Sequence, residues 1–282
     1  MFLQRMKKGL LFLGVLFMLV SCGEYQKVLK SEDVGLKYST AEKLYDEAKE
    51  ENSKSKYRKA LRLFEQIVPQ YRGKPQGEKV TFLFADTYYQ LGDDYLAGYQ
   101  FERFTQAYPN SDKIEEAAFK SAKSYYFLSP RYDLDQTETY KAITELQKYI
   151  DSYPDGENLE EANKLATELR VKLEKKAYQI AWEYYNKGEA GLPGQNYKAS
   201  VVAFTNFLSD YPGSPFREEA YFYRFAAAYE LAVNSYAFLI KERLTDAKTF
   251  YNSYIRYYKE GSPYYEQIQA LNRDLESRLQ NF

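Results

Sequence analysis

The sequence contains no histidine, one cysteine and one tryptophan among its 282 residues. Without histidine, the chain cannot use a Ser-His-Asp or Cys-His catalytic arrangement, a histidine-liganded zinc ion or a histidine pH switch. A single cysteine excludes an intramolecular disulfide framework and a cysteine-rich metal site. The formal net charge of −1 argues against a dedicated nucleic-acid binder, which usually carries a strongly basic surface. We therefore predict no metal, no cofactor and no nucleic-acid partner.

Long hydrophobic runs are also absent, apart from one near the N-terminus. Gly9–Val20 is a twelve-residue apolar run that follows Arg5, Lys7 and Lys8. This run is too short for a typical bilayer-spanning helix, and it has the length and the basic flank of a signal peptide. We expect residues 1–21 to be a signal peptide that is removed from the mature chain.

The only cysteine, Cys22, follows Leu19-Val20-Ser21. This pattern resembles a lipobox, in which cleavage leaves the cysteine as a lipid-modified N-terminus. We predict that Cys22 is acylated, and each buried CH₂ of an acyl chain contributes about 0.8 kcal/mol to membrane binding. Residues 22–37 are then the lipidated N-terminus and a tether, whose roughly fifteen residues reach about 50 Å when extended. An ordinary signal peptide with an incidental cysteine, or a short anchor helix, stays open as the alternative.

Tyrosine is abundant, with 31 tyrosines beside 18 phenylalanines, and part of this excess is periodic. Five tyrosines align as the ends of a repeat: Tyr71, Tyr108, Tyr153, Tyr211 and Tyr258. Each has an aliphatic or aromatic residue four and seven positions earlier and a small residue eleven positions earlier. These offsets place the residues on one face of a helix. The tyrosines are between 37 and 58 residues apart, which predicts a repeated helix pair with variable loops.

We predict an all-α fold over residues 38–282, a tetratricopeptide-repeat (TPR) superhelix of about five helix pairs with a C-terminal capping helix. The predicted pairs are 38–72, 77–109, 112–154, 157–212 and 215–259, and the capping helix is 263–281. A loop is expected at Gly188–Gly194, because three glycines and a proline follow a long segment that lacks both residue types. A second insertion is expected from Ser129 to about Thr137.

Three Glu-Glu pairs recur at one offset after the repeat tyrosines, at Glu115-Glu116, Glu160-Glu161 and Glu218-Glu219. Paired carboxylates can perform acid–base chemistry, but adjacent residues of a helix do not face each other. Their repetition in the first turns of predicted helices, where the helix dipole favours anions, indicates an architectural role. We predict no catalytic residue.

A basic stretch lies early in the first predicted pair, at Lys54, Lys56, Arg58, Lys59 and Arg62. It is close in sequence to the lipid tether, so anionic lipid and an acidic partner are its candidate ligands. A solvated helix face is the alternative.

Tyr-Tyr dipeptides form another recurring feature. In a helix, one member of such a pair can pack in the core, and the other must point elsewhere. The second member either packs against a neighbouring helix or lines a groove that binds a peptide. The pairs are Tyr88-Tyr89, Tyr125-Tyr126, Tyr184-Tyr185, Tyr257-Tyr258 and Tyr264-Tyr265.

The order of these motifs resembles the BamD family, the TPR lipoproteins of the outer-membrane β-barrel assembly (BAM) machinery. The resemblance covers nearly all of the chain after residue 21. Besides the lipobox and the number of helix pairs, its motifs are Tyr88-Tyr89 followed by Leu96-Ala97, the pattern Leu173…Ala181…Tyr184…Gly188, and Asp210-Tyr211-Pro212.

The resemblance implies a scaffold, not an enzyme, that is lipid-anchored in the outer membrane and faces the periplasm. Its implied partners are a BamA-like β-barrel insertase with periplasmic repeats, other envelope lipoproteins and nascent outer-membrane proteins. The insertase would bind the C-terminal repeats, and C-terminal signals of substrates would meet the N-terminal repeats. Tyr88 and Tyr89 match the family's paired tyrosines, which implies a peptide- or partner-binding groove there. The family's insertase-contacting arginine aligns with Ala203, so no arginine is assigned that role.

Two other functions stay open. Another periplasmic TPR lipoprotein adaptor, for cell division or peptidoglycan, would be favoured by an N-terminal coiled coil, which the sequence lacks. A glycan-binding lipoprotein or enzyme would usually be longer and richer in tryptophan than a chain whose only tryptophan is Trp182.

Substitution Cys22→Ser tests the lipid anchor. We expect the variant to lose the acyl mass and to leave the membrane fraction, because no thiol remains to be acylated. Mass spectrometry and membrane fractionation measure both effects, and Ser21→Ala, which keeps a small residue before the cysteine, is the matched control. A Cys22→Ser chain that keeps its mass and its membrane attachment would contradict the prediction.

Overall fold

The computed structural model of the protein describes residues 23–190 and 193–282, so Cys22, the predicted signal peptide, Gly191 and Leu192 lie outside the described residues. Throughout these two ranges the regular secondary structure is α-helical. The helices are α1 (23–30), α2 (Val34–Glu51), α3 (Lys54–Tyr71), α4 (Gly77–Leu91), α5 (Asp94–Ala107), α6 (Ile114–Leu128), α7 (Thr137–Ser152), α8 (Leu159–Ala190), α9 (Pro193–Asp210), α10 (Arg217–Val233), α11 (Ala237–Tyr257) and α12 (Tyr265–Leu279). None of the described helices is long and apolar enough to cross a membrane.

Helices α2 to α11 form five consecutive pairs, and α12 follows as a capping helix. The outer ends of the pairs and of α12 fall within four residues of the sequence prediction. The predicted all-α, TPR-like architecture is therefore confirmed. The insertion expected after Ser129 is also present, since residues 129–136 connect α6 to α7 without a helix.

The chain divides into two compact units. Unit 1 contains the described residues up to Ser129 and Thr137–Ala166, and unit 2 contains Pro130–Gln136 and Thr167–Phe282. Unit 1 thus holds the first three helix pairs, and unit 2 holds α9 to α12 with most of α8.

In unit 1 the second helix of each pair buries the small residue of the repeat. Ala60, Ala97 and Ala142 are completely buried, as are Phe64 and Phe101, which lie one turn further along. A small side chain allows the two helix backbones to approach closely, and the aromatic ring fills the space beside it. The residues at the repeat offsets are therefore residues of the buried core.

Unit 2 repeats this arrangement with one polar variant. Ala247 is fully buried in α11, and in α9 the corresponding residue is Ser200, also fully buried. The Ser200 hydroxyl donates a hydrogen bond of 3.0 Å to the carbonyl oxygen of Ala181 in α8. A buried hydroxyl needs such a partner, and the short side chain still permits close helix contact.

The repeat tyrosines mark the C-terminal ends of the second helices. The backbone amides of Tyr108, Tyr153, Tyr211 and Tyr258 each donate to the carbonyl four residues earlier, at 2.9–3.0 Å. Each ring also packs against the aromatic ring four residues earlier, with centroids 5.1–5.4 Å apart. Part of the tyrosine excess is thus a repeated helix-end contact.

The first-turn glutamates hold the two helices of a pair together. Tyr149 of α7 donates a 2.9 Å hydrogen bond to Glu115 of α6, and Tyr254 of α11 donates one of 2.8 Å to Glu218 of α10. Burial, followed by the bond to Glu115, raises the pKa of Tyr149 to about 12, so this phenol stays protonated near neutral pH. Glu115 and Glu218, the first members of two of the three Glu-Glu pairs, therefore have an architectural role.

The extended tether expected over residues 22–37 is wrong for its described part. Residues 23–30 form α1, and α2 begins at Val34. Tyr25 is 8% exposed, and its hydroxyl donates a 3.1 Å hydrogen bond to the carbonyl oxygen of Lys59 in α3. The burial of this ring, which the sequence pattern does not reveal, attaches the segment to the first helix pair.

The loop expected at Gly188–Gly194 is also wrong in extent. Helix α8 continues through Gly188 to Ala190, and α9 already begins at Pro193. A Cβ atom on Gly188 would lie 2.6 Å from ring atoms of Tyr197, which is 3% exposed. Gly188 therefore allows α8 and α9 to approach closely, because a side chain at this position would collide with the Tyr197 ring.

Substitution Gly188→Ala tests that contact. We expect a loss of about 1–2 kcal/mol in stability, because overpacking against a buried ring outweighs the higher helix propensity of alanine. Gly194→Ala in α9 is the matched control, since a methyl group added at Gly194 would meet no atom within 4 Å. Chemical denaturation measures both variants, and equal midpoints would contradict the assignment.

Candidate functional site

The first helices of the three pairs in unit 1 line a groove of about 610 Å³. Helix α4 is central and contacts both α2 and α6. The lining includes aromatic and aliphatic side chains together with charged groups of both signs. The lining residues are Tyr45, Lys49, Pro75, Glu78, Lys79, Phe82, Leu83, Asp86, Gln90, Asp112, Lys113, Glu116 and Lys120.

A buried carboxylate lies at the centre of this groove. Asp86 of α4 is 1% exposed, and it accepts hydrogen bonds from side chains on both neighbouring helices. The Tyr45 hydroxyl of α2 and the Lys120 ammonium of α6 each lie 2.5 Å from an Asp86 oxygen, and Gln90 donates at 3.2 Å. One carboxylate therefore connects three successive pairs, and its charge is fully compensated.

Lys120 is held from several sides. Its Nζ also donates to Glu116, one turn earlier, at 2.7 Å. The same atom lies 5.5–5.8 Å from the ring centroids of Phe82, Tyr89 and Phe101, within cation–π range. Burial lowers the pKa of Lys120, but the Asp86 and Glu116 carboxylates outweigh it and the net pKa is raised. The side chain therefore remains an ammonium.

The rim of the groove carries charges that are only partly paired. Lys113 binds Glu116 at 2.9 Å, and Lys79 binds Glu42 of α2. Lys49 and Asp112 are exposed and form no ion pair within the described part of the chain.

At the centre of the groove, burial raises the pKa of Tyr45, and the bond from Tyr45 to Asp86 adds to this effect. Tyr45 therefore keeps its phenolic proton, and this proton remains in the hydrogen bond to Asp86.

The structure places Tyr88 and Tyr89 on α4 but not in the lining of this groove. Tyr88 is 7% exposed, and its hydroxyl donates to Glu65 of α3 at 3.2 Å. Tyr125 bonds Glu102 in the same way at 3.0 Å, across the same sequence separation. In these two Tyr-Tyr dipeptides the first tyrosine thus forms a contact between adjacent helix pairs. The proposed partner-binding role of Tyr88 stays a prediction.

Tyr89 faces the other side of α4. It is half-buried, with its ring centroid 6.3 Å from that of Phe101, and Lys120 lies over its face. Burial raises the pKa of Tyr89, although the nearby Lys123 and Lys120 oppose this effect. Tyr89 supports the lysine that compensates Asp86, and a direct contact with a partner stays a prediction.

Sequence reasoning missed the Tyr45, Asp86 and Lys120 network. One signal was available, because Asp86 is a lone carboxylate inside the apolar run Phe82–Tyr88. A charge in such a run requires a buried partner. Neither Tyr45 nor Lys120 stands out in its own helix, so the partners follow only from the tertiary structure. Among residues 23–190 and 193–282, no group of three acidic or cysteine side chains is placed to hold a metal ion.

Substitution Lys120→Met tests the buried network. We expect a loss of about 3 kcal/mol in stability, because Asp86 remains as an uncompensated buried charge. The double variant Asp86→Asn/Lys120→Met should regain most of this loss, since no buried charge then remains. Lys123→Met is the matched control and should cost less than about 1 kcal/mol, because its partner Glu161 is exposed. Chemical denaturation measures all three, and equal losses for the two single variants would contradict the network.

Comparison with known proteins identifies the family. The family model described as YfiO, outer membrane lipoprotein, matches residues 37–237. A curated relative from Xylella fastidiosa (strain Temecula1 / ATCC 700964), named outer membrane protein assembly factor BamD, is 25% identical over 215 residues. That alignment covers 72% of this chain and 69% of the relative. The match spans helices of all five pairs, and the chain belongs to the YfiO family of outer membrane lipoproteins.

Proposed function

We propose that this chain is a lipid-anchored scaffold on the periplasmic face of the outer membrane that assists the assembly of β-barrel proteins. The family match over residues 37–237 carries the proposal, and the relative named as an assembly factor supports it. The all-α repeat architecture suits a scaffold, because stacked helix pairs present extended binding surfaces. The lipid anchor at Cys22 is part of this proposal and has its support in the lipobox pattern and the lipoprotein family.

The groove of unit 1 is the proposed contact for nascent outer-membrane proteins. An extended segment of such a protein alternates apolar and polar side chains, and the groove offers both kinds of surface. Phe82 and Leu83 supply apolar contact, and the exposed Lys49 and Asp112 supply charges for polar groups or a chain terminus. The Asp86 network keeps the three helices in fixed positions, so little ordering is required on binding.

Unit 2 provides a candidate contact for a BamA-like insertase. Arg224 of α10 is 9% exposed, and its guanidinium lies 5.0 Å from the Tyr221 ring centroid and 4.7 Å from that of Phe250. Its Nε is buried and has no hydrogen-bond partner among the described residues, so a partner would reach the guanidinium only through its small exposed surface. Burial lowers the pKa of Arg224, and no carboxylate opposes this effect. A carboxylate on the insertase would complete this site.

The position aligned with the family's insertase-contacting arginine has a different role. Ala203 is half-buried in α9 and packs against the core of unit 2. We therefore propose Arg224, on the next helix, as the cation that meets the insertase.

Affinity purification from detergent-solubilised envelope tests the function. We expect the tagged chain to recover a large β-barrel protein with periplasmic repeats, together with other envelope lipoproteins. Arg224→Gln should reduce this recovery at least tenfold, because the insertase carboxylate would lose its partner. Arg256→Gln, an exposed arginine of α11, is the matched control and should have no effect.

Depletion of the chain separates the proposal from its alternative. Loss of outer-membrane β-barrel proteins in general is the expected result. A complex without any β-barrel component, or a defect confined to cell division, would instead favour another periplasmic TPR lipoprotein adaptor.

The purification experiment with Arg224→Gln needs a folding control. Circular dichroism of this variant shows whether it is folded.

A further inference from the structure

The N-terminal helix lies directly against the basic stretch of α3. The Tyr25 ring of α1 is buried, and its hydroxyl bonds the backbone of Lys59. The Lys59 ammonium lies 5.5 Å from the centroid of the same ring. Val28 and Leu29 also pack against the core of the first pairs. Helix α1 is therefore part of the folded unit.

This contact limits the distance between the first helix pair and the proposed lipid anchor. Three residue steps separate Tyr25 from Cys22. Even a fully extended chain spans only about 11 Å over three residues, whatever conformation it adopts. An anchor at Cys22 would consequently hold Tyr25, and the part of α3 that Tyr25 contacts at Lys59, close to the membrane surface.

The two helices are strongly basic in a chain whose net charge is −1. Together α1 and α3 contain seven lysines and arginines and two glutamates. Lys56 is paired with Glu47 and Glu51 of α2, whereas the other six cations form no ion pair among the described residues. Those six are Lys27, Lys30, Lys54, Arg58, Lys59 and Arg62, and all but Lys59 are exposed.

The cations of α3 have a defined arrangement. Lys54, Arg58 and Arg62 are spaced four residues apart and therefore form one row along the helix. Of the two glutamates, Glu65 is engaged by the Tyr88 hydroxyl, and Glu24 is exposed on α1. The row thus presents unpaired positive charge beside the helix that leads to the anchor.

We propose that the basic face of α1 and α3 binds the head groups of anionic phospholipids and orients the first helix pair on the membrane. The proposal rests on the lipid anchor at Cys22 proposed above. The acyl chains supply membrane attachment, and the basic face supplies a second, electrostatic contact that resists rotation about a single anchor point. A basic segment near an anionic membrane gains affinity with each cation, in a salt-dependent way.

Vesicle binding without the acyl chains tests this contact. The chain from residue 22 with Cys22→Ser is mixed at low ionic strength with vesicles of phosphatidylglycerol and phosphatidylcholine, or of phosphatidylcholine alone. We expect sedimentation with the anionic vesicles only, and release by salt. The triple variant Lys54→Gln/Arg58→Gln/Arg62→Gln should bind roughly a hundredfold more weakly, at about fivefold for each cation.

A matched triple variant in unit 2, Lys198→Gln/Lys259→Gln/Arg273→Gln, removes the same charge from exposed positions without ion pairs in the described chain. It should bind the anionic vesicles as the parent does. Equal losses in the two triple variants, or equal binding to neutral vesicles, would overturn the proposal. If the chain does not bind vesicles, and the α3 variant loses an acidic protein that co-purifies with the parent, then the basic face binds a protein instead of lipid. Mass spectrometry of the unsubstituted chain shows separately whether Cys22 carries acyl chains.

Discussion

Close approach between helices of a pair is the constraint on which the structure depends. The second helix of every pair has a fully buried small residue, at Ala60, Ala97, Ala142, Ser200 and Ala247. A larger side chain there would separate the backbones, expose the neighbouring aromatic residues and displace the helix-end tyrosine contacts. In the long fourth pair, Gly188 applies the same constraint, since the Tyr197 ring occupies the space of its missing side chain. The repeat pattern thus marks the positions at which the paired helices are in contact.

The Asp86 network adds a second level of organisation within unit 1. Small residues hold the helices of one pair together, whereas Asp86 joins the first helices of three successive pairs through Tyr45 and Lys120. A buried ion pair contributes little net stability compared with apolar packing, but it strongly disfavours arrangements in which either charge is unpaired. The groove therefore has a defined geometry of its own, which suits its proposed contact with segments of other proteins.

The tyrosine excess has several structural uses. Some tyrosines end helices, and others donate hydrogen bonds between helices, as Tyr149, Tyr254, Tyr88 and Tyr125 do to glutamates. Phenylalanine would fill the same volume but would remove one hydrogen-bond donor from each of these carboxylates. Tyrosine combines a large apolar ring with one hydroxyl, so a single residue type packs the core and joins its charged edges.

The sequence alone determined the helical fold, the number of pairs and the repeat register, because offsets of 4, 7 and 11 depend only on the geometry of one helix. It also indicated the family through the order of its motifs. Three features were decided by the tertiary structure: the folded N-terminal helix, the helical Gly188 and the partners of Asp86. Each depends on a contact between residues on different helices, Tyr25 with Lys59, Gly188 with Tyr197, and Asp86 with Lys120. Local periodicity contains no information about such contacts, since it reports which face of a helix is buried and not which side chain lies opposite.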